Sequence, residues 1–553
     1  MLDPITLEML WRRLSSTVDE VAAALVRTSF STVVRDVNDY ACTIFDARAR
    51  LLAQSSDSTP GLCGPLGTML RYMLDVYPVD GLVPGDILMA NLPWVGTGHQ
   101  NDITVATPAF HGDHLIGFAV CAAHHVDIGG RRATTESRDN YEEGLRIPVC
   151  KVYRAGMAND DVFAFVRENV RSADKVIGDL RAQFAANHVA AQRLGDICSE
   201  QNWSGLQLLA DEIIQRSERL TRAEIAEIPR GVYVHEAPID VVDGQTIRIR
   251  TAVHVTDEGI VVDYDGSSHQ VTRAINATLT YTSAYTVFAL KCILDVPVPM
   301  NEGILAPLRV TAPPGSILNA TFPAPVFART SIGNFLPEMV FAALAAVLPE
   351  RVLAGSGSTP LWAQYLHGRR ADGREFATFN ATNGGLGARA NRDGISCLPF
   401  PVNVGNTPVE VLESEVPVLC EKRAFWVDSA GPGRFRGGFG QEFVLRVLEG
   451  DLGADGPVVV GCRGGRFFHP VPGFLGGERA PNGELLVNGR PDASGRQLLL
   501  DPGDVITCRI PGGAGIGSPR ERERALVERD LEDGLITEEH AAKAYGYRRL
   551  VAP

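Results

Sequence analysis

Residues 96–130 read GTGHQNDITVATPAFHGDHLIGFAVCAAHHVDIGG, and the reading of this stretch decides what kind of fold surrounds it. Ile103 to Ala106 and Leu115 to Ala122 are apolar runs joined through the turn His111-Gly112-Asp113, so they read as neighbouring strands. A glycine-broken loop, Trp94 to Gly98, leads in, and Gly129-Gly130 closes the stretch. Five of the twelve histidines of the chain fall here: His99, His111, His114, His124 and His125.

Outward from this stretch, Leu82-Val83-Pro84-Gly85-Asp86 reads as a turn before the strand Ile87 to Ala90. Ala41 to Asp46 and Leu51 to Ala53 read as a hairpin, Gly61 to Gly67 as a Gly/Pro loop, and Thr68 to Val76 as a helix. The chain opens on a long helix. Asp3 can cap it, Pro4 suits its first position, and Leu7, Leu10, Leu14, Val18, Val21 and Leu25 keep helical spacing.

On the other side, 160–228 reads as helical and 231–265 alternates as a sheet with a turn at Asp257-Glu258-Gly259. Arg329 to Val347 opens polar and ends as an apolar helix. From about 375 onward glycine and proline rise, which predicts a β-rich region with long loops. Glu521 to Tyr545 predicts a charged helical tail, either solvated or docked on a partner. No internal repeat has a fixed period.

The expected class is mixed α/β of the α+β type, multi-domain, with a helical and mixed-sheet N-terminal half and a β-rich, Gly-rich C-terminal half. The expected units are 1–230 with the histidine loops, 231–374 as sheet plus helix, 375–520 as a β-rich domain and 521–553 as a helical tail. A length of 553 residues agrees with roughly three to four domains.

Bulk properties narrow the function. With 45% hydrophobic and 21% charged residues, the chain has the composition of an ordinary soluble globular protein. Net charge is -14 and no basic stripe is present, which argues against nucleic acid as a partner. No apolar run approaches ~18 residues, so no membrane span is expected. The start lacks a basic segment followed by an apolar one, so a signal peptide is not expected. The ten cysteines are scattered with no CxxC spacing, which fits a reducing, cytoplasmic setting.

The chemistry concentrates at the strand ends. His99-Gln100-Asn101-Asp102 puts an imidazole and a carboxylate three residues apart, and His124-His125-Val126-Asp127 follows an apolar strand. Neighbours on a strand point to opposite faces, so His124 and His125 should not both reach one site. Two imidazoles and a carboxylate can bind a divalent ion and leave positions open, suiting zinc with a bound water or manganese or iron in a larger shell. The candidate ligands are His99, Asp102 and His124, with a fourth oxygen from Asp39. Without other information, histidines in turns are also commonly just solvated, as His111 and His114 are expected to be. His125 with Asp127 is either a pair orienting a ligand or a plain surface hydrogen bond. Glu143, in Glu142-Glu143-Gly144-Leu145-Arg146, is either a general acid or base or part of a solvated turn. Pro511 to Gly517 looks like a phosphate loop but lacks the Lys-Ser/Thr that follows one, so ATP, if used, is expected on another chain.

A longer string of motifs follows in order. Asp3-Pro4-Ile5-Thr6-Leu7-Glu8 opens it, then Arg27-Thr28-Ser29-Phe30-Ser31, Asp39 to Asp46 and Pro84-Gly85-Asp86. Gly96-Thr97-Gly98-His99 with Asn101-Asp102-Ile103-Thr104, then Ala123 to Gly130, and Glu142 to Pro148 form its centre. Asn301-Glu302-Gly303, Asn406 to Glu410, Asp428 to Gly438 and Asp533 to Gly546 continue it. This series resembles the B-type subunits of the hydantoinase/oxoprolinase family across nearly the whole chain. It departs at Asn91-Leu92-Pro93, where the family often has Asn-Asp-Pro, and at Ala514 and Ile516, where glycine and tyrosine are usual.

The family includes ATP-dependent hydantoinases, 5-oxoprolinase, lactam hydrolases, and acetone and acetophenone carboxylases. The resemblance implies an A-type partner that binds ATP and phosphorylates the substrate oxygen, and a B-type chain that receives the activated substrate at a divalent metal, zinc or manganese. Metal ligands would map onto His99, Asp102 and His124, with Asp39 added, and His125, Asp127 and Glu143 would be the catalytic candidates. The implied activity is hydrolytic ring opening of a hydantoin or lactam in a hetero-oligomer. The alternatives are carboxylation of a ketone, which needs the same partner and metal, and a non-catalytic scaffold subunit, motivated by Leu92.

Overall fold

Asp3 accepts hydrogen bonds from the backbone N–H groups of Ile5 and Thr6 and so starts the helix Pro4–Thr28. Leu7, Leu10, Leu14, Val18, Val21 and Leu25 are all buried along it, as their spacing predicts. The computed structural model describes residues 2–131, 134–450, 452 and 456–548. The last five residues of the expected tail, 549–553, lie outside them.

A seven-stranded sheet dominates the first part of the chain. It comprises β1 (Tyr40–Asp46), β2 (Leu51–Gln54), β3 (Ile87–Ala90), β4 (Asp102–His111), β5 (His114–His124), β6 (Cys150–Arg154) and β7 (Met157–Ala158). The order is β2-β1-β5-β4-β3-β6-β7, antiparallel throughout. Both faces are covered, which is why the strands read as apolar runs rather than clean alternation. On one face Ile103, Val105, Cys121 and Ala123 pack with Val21 and Leu25 and with Ile177, Leu180 and Phe184 of the helix Ala173–Gln201. On the other, Ala106, Phe118, Val120 and Ala122 pack with Leu66, Met69, Leu70 and Met73 of the helix Leu66–Val76.

A second sheet holds Gly231–Val242, Gln245–Val255, Ile260–Asp263 and Leu308–Thr311, the last two paired in parallel. The helices Leu279–Ile293 and Leu336–Leu344 share its core. Further on, a four-stranded and a five-stranded sheet meet through Trp362, Leu366, Val460, Phe443, Leu445 and Ile506. Among the described residues no helix is long and apolar enough to cross a membrane.

The multi-domain α+β class holds, but helices and sheets alternate along the chain, so the expected contrast between the halves is not clearly followed. Three local expectations also change. Residues 61–67 are not a loop: Pro60–Cys63 forms a helical turn and a helix begins at Leu66, because proline at a first helical position has no N–H to leave unpaired. The helix Leu279–Ile293 escapes sequence reading because it is apolar nearly all round, with Tyr281, Tyr285, Ala289, Leu290 and Ile293 buried. The charged tail packs against its own chain over its described length. Val527, Ile536, Ala541 and Tyr545 are buried with Ala430 and Phe439. Arg522 donates to both Asp393 and Asp530, and Arg436 donates to Asp530.

Candidate metal centre

Strand register assembles the site. Asp102, the first residue of β4, lies opposite His124, the last of β5. One strand over, the His124 N–H donates to the Asp39 carbonyl at 3.0 Å, extending the β1–β5 ladder by a residue. Residues directly opposite on antiparallel strands share a face, so Asp39, His124 and Asp102 gather at one end of one face. His99 enters from the glycine loop ahead of β4. Gly98 there has a φ of +88°, and a Cβ on it would sit 2.8 Å from Arg329 Cδ, so only glycine fits the turn and the close approach.

His99 Nε2 lies 2.7 Å from Asp102 Oδ1, and His124 Nδ1 lies 3.0 Å from the same oxygen. One ligand atom from each of His99, Asp102 and His124 falls within 4.8 Å of the others, and all three residues are buried. No other group of His, Cys, Asp or Glu does this among the described residues. Asp39 stands at the rim, its Oδ2 3.8 Å from His124 Nδ1.

The surroundings set protonation. Burial pushes the His99 pKa down to about 3, with the positive Arg329 adding to the effect. Burial alone would raise the Asp102 carboxyl, but His99, the Arg329 guanidinium and the hydrogen bonds from the imidazoles hold it well below the usual range. Burial raises Asp39. His99 Nδ1 faces the Phe327 carbonyl at 3.1 Å and must donate to it. With that proton on Nδ1, a second proton or a cation must lie between His99 Nε2 and Asp102 Oδ1, 2.7 Å apart. His124 Nε2 is buried with no partner among the described residues. Two imidazoles and an ionised carboxylate thus fit a divalent ion.

Three residues around the cluster have no place in the sequence reading of the site. Arg329 donates from its terminal nitrogen to Asp102 Oδ2 (2.7 Å) and from Nε to the Thr97 carbonyl (2.6 Å), and lies 4.5 Å over the Tyr281 ring. Arg463 and Tyr281 line the same small cavity as His99, His124 and Asp39, about 20 Å³ in volume. An arginine directly after the apolar run Pro325 to Ala328 is the available signal for Arg329; Arg463 offers only its place before Gly464-Gly465.

The other expected site residues lie elsewhere. His125 Nε2 meets Gln183 Oε1 at 3.1 Å, toward the helix Ala173–Gln201. Asp127 accepts from the Gly129, Arg171 and Ser172 N–H groups and pairs with the Arg171 side chain, which ties down the loop after β5. Glu143 is buried, not solvated, and accepts from the Val326 and Phe327 N–H groups at 2.7 Å each and from the Asn140 amide. Burial raises its pKa to about 7, against those hydrogen bonds. It therefore grips the backbone of Phe327, whose carbonyl orients His99. His111 and His114 sit at the far turn of the hairpin. Leu92 packs in the apolar cluster of Leu66 and Met69, while Asn91 accepts from the Ile147 N–H and donates to the Gln100 and Leu145 carbonyls.

Comparison with known proteins agrees with this architecture. The B-type chain of a putative D-/L-hydantoinase from Pseudomonas sp. (strain NS671) is 31% identical over 576 residues, covering 99% of this chain and 95% of that one. The crystal structure of an ATP-dependent caprolactamase from Pseudomonas jessenii superposes with a TM-score of 0.91 at 25% identity, over 100% of this chain and 97% of that one. A nucleotide-free acetone carboxylase structure shares the fold with a TM-score of 0.87 at 19% identity, over 98% of this chain and 79% of that one. Residues 3–519 match the hydantoinase B/oxoprolinase family, and the chain belongs to that family.

Proposed function

We propose that this chain is the B-type subunit of an ATP-dependent cyclic amidohydrolase, a hydrolase of C–N bonds that opens a hydantoin or lactam ring after an A-type partner has phosphorylated the carbonyl oxygen. The observation that carries the reading is the buried convergence of His99, Asp102 and His124, in a chain whose relatives include the B-type chain of a putative hydantoinase and an ATP-dependent caprolactamase. A cyclic amide resists attack because resonance stabilises its carbonyl; O-phosphorylation replaces that resonance with a leaving group. The glycine run at 512–517 supports placing ATP on the partner. A Cβ on Gly513 would run into the Leu386 carbonyl, so the run is packed against other backbone rather than open to a nucleotide.

Zinc or manganese held by His99, Asp102 and His124, with Asp39 as a fourth ligand, would supply Lewis acidity and a water of lowered pKa. The chain's own residues prepare that place. Arg329 fixes Asp102 and leaves one carboxylate oxygen facing the imidazoles. The Phe327 carbonyl sets the His99 tautomer, and Glu143 holds that carbonyl in position. Glu143 acts here as a positioning residue, while His125 holds the packing face of the sheet and Asp127 the loop after β5. The carboxylase likeness rests on fold alone, so the hydrolytic reading is preferred.

The test is the double variant His99→Ala/His124→Ala, purified in complex with the A-type partner. Elemental analysis should find a stoichiometric divalent ion in the wild type and none in the variant, and ATP-dependent opening of hydantoins or lactams should vanish with it. Unchanged turnover rejects the reading. Labelled bicarbonate entering the product would transfer it to the carboxylase class, and a wild-type chain without stoichiometric metal would leave a scaffold subunit.

A further inference from the structure

Arg463 ends the strand Val458–Arg463 and is only 6% exposed. Its guanidinium lies 4.1 Å over the Phe327 ring and 4.7 Å from that of Tyr365. Its polar contacts are long: 3.4 Å to Thr330 Oγ1 and 3.3 Å to the Phe327 carbonyl, while Nε is buried with no partner among the described residues. Among the described residues no carboxylate forms an ion pair with it. The other buried arginines differ. Arg329 pairs with Asp102, Arg466 with Glu338, and Arg522 with Asp393 and Asp530. A buried charge without a counter-ion is costly, and aromatic faces offset only part of that cost.

The position of this cation is informative. Arg463 lines the small cavity with His99, His124 and Asp39. It also lines a wider cleft of about 360 Å³, shared with Asp240, Arg273, Trp362 and Phe467. Arg463 therefore borders both an open cleft and the buried cluster. Arg329 differs in that its charge is already paired with the Asp102 carboxylate.

We propose that Arg463 is the anion-recognising residue of this site, taking an oxyanion of the incoming substrate from the cleft and holding it beside His99 and His124. The oxyanion is a phosphoryl group or a carboxylate, both of which match the planar donor fork of arginine. The proposal deepens the hydrolase reading and rests on it for the identity of the substrate, but anion binding by Arg463 is measurable without turnover.

Inorganic phosphate is titrated into the full-length chain by calorimetry and by ³¹P line broadening, with the metal content of each sample measured alongside. The wild type should bind phosphate saturably, and Arg463→Met should weaken binding by about tenfold or more with metal content unchanged. Arg463→Lys keeps the charge but loses the fork, and should fall between the two; it also serves if the methionine variant does not fold. Acetate replaces phosphate in a second arm: binding of phosphate alone assigns a phosphoryl group, and equal Arg463-dependent binding of acetate assigns a carboxylate. The proposal is overturned if the wild type binds neither anion, or if the variants bind as tightly as the wild type. Arg463-dependent anion binding in a metal-free chain would instead remove the hydrolase reading and leave this one standing.

Discussion

His124 and His125 are adjacent in sequence and belong to opposite faces of one sheet. His124 faces Asp102, Asp39 and the arginine-lined cavity, and one of its ring nitrogens has no partner. His125 shares the parity of Ile103, Cys121 and Ala123 and meets Gln183, whose amide donates in turn to the Ile103 carbonyl. On the packing face, His125 Nε2 is tied to a helix that also contributes apolar side chains, while its Nδ1, like His124 Nε2, has no partner among the described residues. On the site face, two imidazoles converge on one carboxylate oxygen. A strand's period of two is enough to separate chemistry from packing within one dipeptide.

The strongest way to break this contrast is Asp102→Asn. The substitution keeps the shape but removes the charge that pairs with Arg329 and faces both imidazoles. Removing one partner of a buried ion pair costs about 3–5 kcal/mol, and the cation cluster loses its only fully embedded carboxylate. Chemical denaturation should show that loss, and elemental analysis should show no bound metal. An asparagine variant that unfolds like the wild type and retains its metal would mean that the site face is ordinary packing.

Glu143 tests the support beneath the site. Its pKa in the folded chain is raised from 4.5 to about 7, so the native state binds its proton more tightly than the unfolded state does. The sign follows from linkage: the group imposes no penalty below pH ~4.5, a growing one as pH rises toward 7, and a constant one above. A shift of this size corresponds to roughly 3 kcal/mol. Glu143→Gln cannot ionise, so the difference in stability between wild type and variant should change across that window and flatten beyond it. A difference independent of pH would mean that Glu143 is ionised in both states and is simply a hydrogen-bonded anchor.

His125→Leu probes the packing face. It strands Gln183 Oε1 as an unsatisfied buried acceptor, at a cost of about 1–3 kcal/mol. Metal content should be unchanged. If His125→Leu strips the metal as His124→Ala would, the two faces are not independent.

Much of this is legible in the sequence, for identifiable reasons. The first helix declares itself through Asp3, Pro4 and a leucine stripe, and the central hairpin through two apolar runs around His111-Gly112-Asp113. The parity argument separates His124 from His125. What escapes depends on contacts between residues far apart in the chain. Arg329 reaches Asp102 across 227 positions, and no local pattern announces that. Glu143 reads more readily as part of a solvated turn than as a catalytic group, because only tertiary structure brings Val326 and Phe327 against it. The charged tail reads as solvated or partner-docking because its buried apolar residues are spread over a short helix, a turn and a π-helical turn, with no single stripe.

The smallest effect sharpens the comparison from a distance. Asp3 caps the helix whose Val21 and Leu25 pack on the face of the sheet that His125 shares. Asp3→Ala leaves the Ile5 and Thr6 N–H groups without their acceptor, and loss of such a cap lowers stability slightly. Thermal unfolding should register that loss. Distant sites with no shared partners add independently, so metal affinity and anion binding should remain at wild-type values. A parallel loss of metal affinity would show that the sheet passes strain from its packing face to its chemical face, and would replace the picture of two separate faces with a single coupled one.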